Sequence, residues 1–508
     1  MKEKPLQTSL QRPLVRSHRG RSQLKLLAGL WMLLGCSAAL LAQSAPGNPA
    51  ASGNPVPLTS LDSTTRAEIV EKLAQTLTDH YAVAESGEKM AQAIRARLAA
   101  GAYDKTTDPE EFARTLHNDV RAVVNDKHLR IMFERGPMPG PGGPVPGSAM
   151  TPPPGEPAPG PGTAAPPGGP SGRRPPGMPD FRKMNGSIGR VQILPGNVGY
   201  IEVNGVPPGA NKAIDAAFAF LANTDALILD LRGNPGGTPQ TVAYWMSYLS
   251  KGEPYPVMRV QMRNGNVMET KTTDLGDRSY GTTKPVYVLT SYFTFSGGEE
   301  FAYDFQAFKR GLVVGETTGG GANPAGPRPL GHGFVAVVPS GLGKHPVTGT
   351  SWEGVGVKPD VPVAAGLALL EAHRLAVERL RLGSTDPSEQ DTLAAIATSL
   401  ADEKKAAANI PPQPLTKAQM ALTGAYAPVG DGPGPRFSVV AKEGHLVMQP
   451  EGSRPPSRLV HVKGDTYQLE GMPDDYTVTF GSALAGKDRV LFQQSNSMPA
   501  IVLERHQR

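Results

Sequence analysis

Apolar positions recur with helical spacing in three early segments, 63–80, 87–100 and 108–124. The third has the clearest start: Asp108 stands where an N-cap belongs, Pro109 follows at the first helical position, and Glu110 and Glu111 occupy the first turn, where the helix dipole favours negative charge. Together these segments predict a small helical domain over 58–135. From about residue 197 the period changes. Short apolar runs at 198–203, 226–231, 285–290, 311–314 and 333–338 alternate with helical stretches, the pattern of an α/β domain, here 188–365. Helical spacing returns at 367–382 and 390–408, filling 366–410. The remainder, 411–508, has short alternating runs at 436–441, 446–449, 476–480 and 489–493 between Gly, Pro and Asp turns, which predicts a small antiparallel β domain.

Composition adds two segments that pack no core. Residues 136–180 hold 17 Pro and 12 Gly in 45 positions, so 136–187 reads as a disordered or partly polyproline linker, a candidate hinge for the helical domain. Residues 1–44 read as an export signal: a basic stretch, an uncharged apolar run over 26–42, then small residues. The expected location is therefore periplasmic or secreted, in a bacterium. Cleavage after Ser44 is the preferred reading. The run Leu33-Leu34-Gly35-Cys36 resembles a lipoprotein box, but the residues after Cys36 stay apolar, so a lipid anchor at Cys36 on the outer membrane is the lesser alternative.

The leader also accounts for the basic balance of the chain. Residues 1–26 carry seven basic side chains against Glu3, and without them 44 basic side chains face 45 acidic ones. No bulk electrostatic case for nucleic acid or an anionic membrane survives. A single cysteine excludes an intrachain disulfide framework and a Cys-ligated zinc site, and no later segment is long and apolar enough to span a bilayer.

Two segments carry candidate chemistry. In Leu227-Ile228-Leu229-Asp230-Leu231-Arg232-Gly233-Asn234-Pro235-Gly236-Gly237 a buried strand ends in a turn whose paired glycines let backbone N–H groups approach an anion or oxyanion. The same glycines also suit a plain strand-to-helix turn, and Asp230 with Arg232 reads as a pair holding it. In Val288 to Ala302 a strand leads to Ser296 at the head of an amphipathic helix, beside the N–H of Gly297. Ser296 and Glu299 also match a capping box, which needs no catalysis. His332 lies in a Gly-His-Gly turn, and neither it nor His345 has metal-ligand spacing; Gly319-Gly320-Gly321 lacks the Lys and Ser/Thr of a phosphate loop.

These motifs in this order, Asp230-Leu-Arg-x-Asn-x-Gly-Gly237, Thr294-x-Ser-Gly-Gly-Glu-Glu-Phe-Ala302, Gly315-Glu-Thr317 and Glu353-Gly-x-Gly-Val-x-Pro-Asp360, resemble the tail-specific peptidase family. That family includes the C-terminal-processing proteases, the tricorn core protease and the repeats of interphotoreceptor retinoid-binding protein. The resemblance covers about 61–363 and implies a crotonase-like (ClpP/crotonase-type) α/β core, polypeptide substrates and no cofactor or metal. It offers a Ser/Lys dyad or a Ser/His/Glu set. Where the dyad enzymes read Gly-Glu-x-Thr-x-Gly-Lys, this chain has Gly321 in place of the Lys, so the dyad is absent. The second arrangement implies Ser296 as nucleophile, His128 as base, Glu353 as its carboxylate, and Gly297 with Gly236 or Gly237 as oxyanion donors. His128 could instead be a satisfied polar residue at a domain edge, and Glu353 a surface partner of Lys358. The PDZ module that many processing proteases carry after the helical domain is replaced here by the Pro/Gly tract. Rival readings are an apolar-ligand-binding protein on the same fold and a crotonase-like acyl-thioester enzyme; the leader argues against the latter.

Overall fold

The structure, a computed structural model, describes residues 60–134, 184–408, 414–429, 436–451, 455–481, 488–493 and 500–506. The leader with Cys36 and nearly all of the Pro/Gly linker lie outside the described residues. In chain order the first elements are α1 (Ser63–His80), α2 (Ala84–Ala99), α3 (Pro109–Val123) and β1 (Arg130–Phe133). Then come β2 (Ile188–Leu194), β3 (Val198–Val203), α4 (Asn211–Phe220), β4 (Ala226–Asp230), α5 (Pro239–Tyr248), β5 (Pro256–Met262), β6 (Val267–Lys271), β7 (Val286–Thr290), α6 (Gly297–Ala307) and β8 (Leu312–Gly315). They are followed by β9 (Ala325–Gly331), β10 (Phe334–Pro339), β11 (Gly341–Lys344), β12 (Val361–Pro362), α7 (Ala368–Gly383) and α8 (Pro387–Ala408).

The first helices form where the pattern and caps place them. The Asp62 carboxylate accepts from Thr65 N–H and that of Asp108 from Glu111 N–H, each at 2.7 Å. Ile69, Leu73 and Leu77 of α1 bury one face against Met90, Ile94, Phe112 and Leu116. Helices alone do not close this cluster. Phe334, Ala336 and Val338 of β10 complete it, because β10 pairs antiparallel with β1 on one side and β9 on the other. The run at 333–338, expected in the α/β domain, thus belongs to a separate three-stranded sheet under the helices. Every residue of β10 is buried, so its composition matches a central parallel strand and its period cannot tell one core from another.

The main sheet has the order β12-β8-β7-β4-β3-β2, parallel except for the β2 edge. Strands β3, β4 and β7 are buried on both faces, which is why they read as nearly continuous apolar runs, with Glu202 in β3 and Asp230 at the end of β4 as their charged residues. On one face Ile201, Leu229 and Val288 pack against Phe218 of α4, Trp245 of α5 and Phe301 of α6. On the other, Tyr200, Ile228 and Leu289 pack against Ala372 and Ala376 of α7 and Leu393 of α8. A right-twisted parallel sheet delivers the loops at its strand carboxyl ends to one edge. Neighbours β4, β7 and β8 therefore bring together the glycine turn, the Ser296 turn and the Gly319–Gly321 loop.

The C-terminal β domain closes into an eight-stranded antiparallel barrel, its first strand Gly424–Pro428 pairing with its last, Ile501–His506. Alternate residues such as Phe437, Val439, Leu469, Val478 and Phe492 fill the interior. Among the described residues no helix is long and apolar enough to cross a membrane.

Candidate active site

Ser296 sits where β7 turns into α6. The turn is stitched to the one after β4: Ser291 Oγ donates to Arg232 O (2.6 Å), Thr294 Oγ1 to Leu231 O (2.8 Å) and Phe295 N to Asn234 O (2.9 Å). Ser296 itself has φ 53° and ψ −122°, a conformation L-residues rarely adopt. Such strain persists only where neighbours over-determine it, and it gathers at functional sites. Ser296 and Glu299 stand in the capping-box arrangement, with Ser296 N donating to the Glu299 carboxylate at 2.9 Å.

The glycine turn lies directly against this serine. A Cβ at Gly236 would stand 2.7 Å from Gly297 N and 2.8 Å from Ser296 Cβ, and one at Gly297 would stand 3.0 Å from Gly237 N. Only glycine permits this approach, and Gly236 also has φ 106°. The Gly236 N–H is already given to Asn234 Oδ1 (2.8 Å), whose amide nitrogen donates to Val203 O (3.0 Å). Among the described residues no acceptor takes the N–H of Gly237 or Gly297. Of the three expected oxyanion donors, these two are free. Asp230 and Arg232 are buried and paired at 2.7 Å; Tyr200 also donates to Asp230 and Arg232 to Ala365 O, so the pair braces the turn from below.

The third loop is organised by Glu299. Its buried carboxylate accepts from Thr318 Oγ1 (2.5 Å), Gly320 N (2.6 Å) and Gly321 N (2.8 Å) besides Ser296 N. Burial pushes its pKa up to about 7 against the pull of these four donors. Glu299 thus ties the Ser296 turn to the Gly-rich loop, a role hidden in the sequence by its match to a cap.

His128 enters from the segment between α3 and β1. Its N–H donates to Asp126 Oδ1 (2.9 Å), and Asp126 Oδ2 accepts from the Tyr81 hydroxyl (2.8 Å). The imidazole lies against the Phe295 ring, centroids 4.7 Å apart. A Cβ at Gly321 would fall 2.7 Å from His128 Cε1 and collide with the Phe295 ring. The ring edge keeps some exposure, but Nδ1 is buried without a hydrogen-bond partner among the described residues. His128 is therefore not a satisfied polar residue. Burial, with a smaller share from Arg130, holds its pKa down to about 3, so the ring is neutral. Glu353 turns inward rather than toward the surface: Oε2 accepts from Ala322 N (2.6 Å) and Asn323 N (3.0 Å), the residues after Gly321. Burial raises its pKa, and the nearby Asp126 charge adds to this.

The structure therefore gathers Ser296, the two free N–H groups, His128 and Glu353 around one set of loops. No hydrogen bond joins Ser296 to His128 or His128 to Glu353. Lys127, which sequence reading passed over, donates from Nζ to Gly319 O and lies 5.3 Å from the Tyr292 ring centroid. The run of three glycines was its only sequence signal, since backbone that admits side chains this closely has none of its own. His332 forms the turn between β9 and β10 and meets Glu68 at 2.8 Å. His345 is buried, its Nδ1 accepting from Val347 and Thr348 N–H. Among the described residues no group of three His, Cys, Asp or Glu side chains could hold a metal.

Comparison with known proteins agrees with this layout. The profile of Peptidase family S41 matches residues 197–363, and that of the N-terminal domain of Peptidase S41 in eukaryotic IRBP matches 61–155. Segment 197–363 belongs to the tail-specific, or S41, peptidase family. This S41 segment carries Ser296, both free N–H groups and Glu353, and the IRBP-type segment carries His128. Carboxy-terminal processing protease CtpA of Bacillus subtilis (strain 168) is 31% identical over 127 residues, covering 24% of this chain and 26% of that protein. The chain thus matches about a quarter of the length of this curated relative. Similar solved structures include a photosystem II D1 C-terminal processing protease (24% identity, TM-score 0.29, 33% of this chain and 42% of that one). A lipoprotein from Streptococcus agalactiae is also similar (14% identity, TM-score 0.40, 62% and 96%).

Proposed function

We propose that this chain is an exported serine peptidase that hydrolyses peptide bonds through an acyl-enzyme on Ser296. The observation that carries the reading is the filling of position 321: where the motif of the dyad enzymes has its lysine, this chain has Gly321, and the His128 imidazole and the Phe295 ring occupy the space a side chain would need. A lysine base is lost there, and a neutral imidazole stands in its place. His128 would accept the Ser296 proton as the hydroxyl attacks the scissile carbonyl, because a serine is a weak nucleophile without an adjacent base. The N–H groups of Gly237 and Gly297 would hold the tetrahedral oxyanion, each supplying about 3 to 4 kcal/mol. Collapse expels the amine with the proton from His128, and water then repeats the sequence on the ester. Glu353 would orient the imidazole in the closed complex, where such hydrogen bonds tighten beyond their geometry in the free enzyme. The core is read as crotonase-like, and the leader supports export, with Cys36 as an alternative anchor.

The test is hydrolysis of casein and a mixed peptide library by the mature chain beside Ser296→Ala, with mass spectrometry of the products. Turnover is expected from the first and not from the second. Two folded but equally inert proteins would overturn the reading.

A further inference from the structure

Nothing in the sequence links the barrel to catalysis, yet its 472–476 loop reaches the glycine turn. The Tyr476 side chain is 4% exposed and its hydroxyl donates to Gly233 O at 2.7 Å. A Cβ at Gly233 would collide with that hydroxyl, so the contact itself requires glycine there. Around it, Glu202 of β3 is buried facing Asp475, Arg190 of β2 meets Asp474 at 3.5 Å, and Gly471 packs against Ala365 beside Arg232. The Ser296 turn leans on the barrel too, through Phe293, which packs on the barrel core. Two of the three loops that build the site thus rest on a domain that contributes no reacting group.

The glycine turn needs such support. From Gly233 to Gly237 it offers one anchoring side chain, Asn234, and its two last glycines have no side chains to lock a conformation. We propose that Tyr476 is a positioning residue for the peptidase site: by holding Gly233 O it sets where the Gly237 N–H stands relative to the Gly297 N–H. This inference rests on the Ser296 reading above. A donor pair must match the oxyanion closely, and a displacement of about 1 Å costs about a hundredfold in rate. Loss of one tether on a turn still held by Asn234 gives a smaller displacement and about a tenfold loss, confined to the chemical step.

The experiment measures the reaction of the full mature chain with a fluorophosphonate, resolving the first-order step from the concentration for half-saturation. The variants are Tyr476→Phe, Gly233→Ala, which expels the hydroxyl from the other side, and Tyr426→Phe. Tyr426 donates an equivalent 2.7 Å bond, to Leu422 O inside the barrel, and serves as the matched control. The first two variants are expected to slow the first-order step about tenfold with half-saturation changed less than twofold, and Tyr426→Phe to match the wild type. If the wild type itself fails to react, the Ser296 reading falls. If it reacts and Tyr476→Phe and Gly233→Ala react as fast as Tyr426→Phe, the positioning role falls. Equal losses in both parameters would also overturn it, since they would mean a general loosening. Thermal unfolding of each variant identifies one that has not folded, and the other then carries the test.

Discussion

Replacing Gly236 with alanine separates the joint role of the two site turns from simple backbone strain. Its φ of 106° strains any L-residue, at about 1 to 3 kcal/mol. The added Cβ would also stand 2.7 Å from Gly297 N and 2.8 Å from Ser296 Cβ, neither of which can rotate away. Opening the first distance to an ordinary contact of 3.4 Å parts the turns by about 0.7 Å. Catalytic constellations tolerate about 0.5 Å, so kcat should fall about 10- to 100-fold. Gly209→Ala is the control: Gly209 has φ 77° and no atom within 4 Å of its would-be Cβ. It should lose similar stability and keep its kcat. The assay is steady-state cleavage of a peptide chosen from the library experiment, paired with urea unfolding of both variants. A Gly236→Ala enzyme whose kcat lies within twofold of Gly209→Ala would refute the claim that these turns form one site.

Three further outcomes are expected. Arg232→Met strands Asp230, fully buried, with the Tyr200 hydroxyl as its remaining side-chain partner; urea unfolding should show a loss of about 3 to 5 kcal/mol, and a loss under 1 kcal/mol would count against the bracing role. Glu300 and Asp304, buried one turn apart on α6 with His345 Nε2 facing Asp304 at 3.6 Å, both have pKa values raised by burial, Glu300 to about 8. A raised carboxyl pKa contributes stability that is complete below about pH 4.5 and is lost as pH climbs through about 8, so Glu300→Gln should lose less Tm between pH 5 and 9 than the wild type; parallel curves would refute the assignment. The His128 ring, held down to about 3, should show no NMR titration between pH 5 and 8, and a midpoint near 6.5 would mean that it is not buried as described.

Much of the architecture is legible where local chemistry decides it. Helix α1 spans Ser63–His80 as its period and the Asp62 cap require, and β3 begins and ends with its apolar run at Val198–Val203. Strands β5, β6 and β9 escaped because Arg259, Glu269 and Arg328 interrupt their apolar residues, and they owe their existence to pairing partners. The site divides in the same way. Ser296 and the paired glycines show in the sequence because their geometry is local, strand end to helix start. The glycines cannot reveal that Gly236 spends its N–H on Asn234 while Gly237 does not. Nor can spacing distinguish Glu299 as a helix cap from Glu299 as the junction of two loops, since Ser-x-x-Glu is identical in both.

The strand exchange beneath the helices sets the order in which the enzyme can be made. Until Phe334, Ala336 and Val338 have been synthesised, the apolar faces of α1 and α3 have no lid, and β1 has no partner to fix the segment that carries His128. Ser296 and its surrounding turns come from residues 227–299, earlier than that strand. A chain still emerging from the ribosome thus carries Ser296 before the segment that holds His128 is docked, and completion of the helical layer waits for contacts between residues about two hundred positions apart, which are slow to form. If His128 serves Ser296 as proposed, this last long-range pairing of the helical layer would delay hydrolysis until nearly the whole 197–363 segment has been laid down.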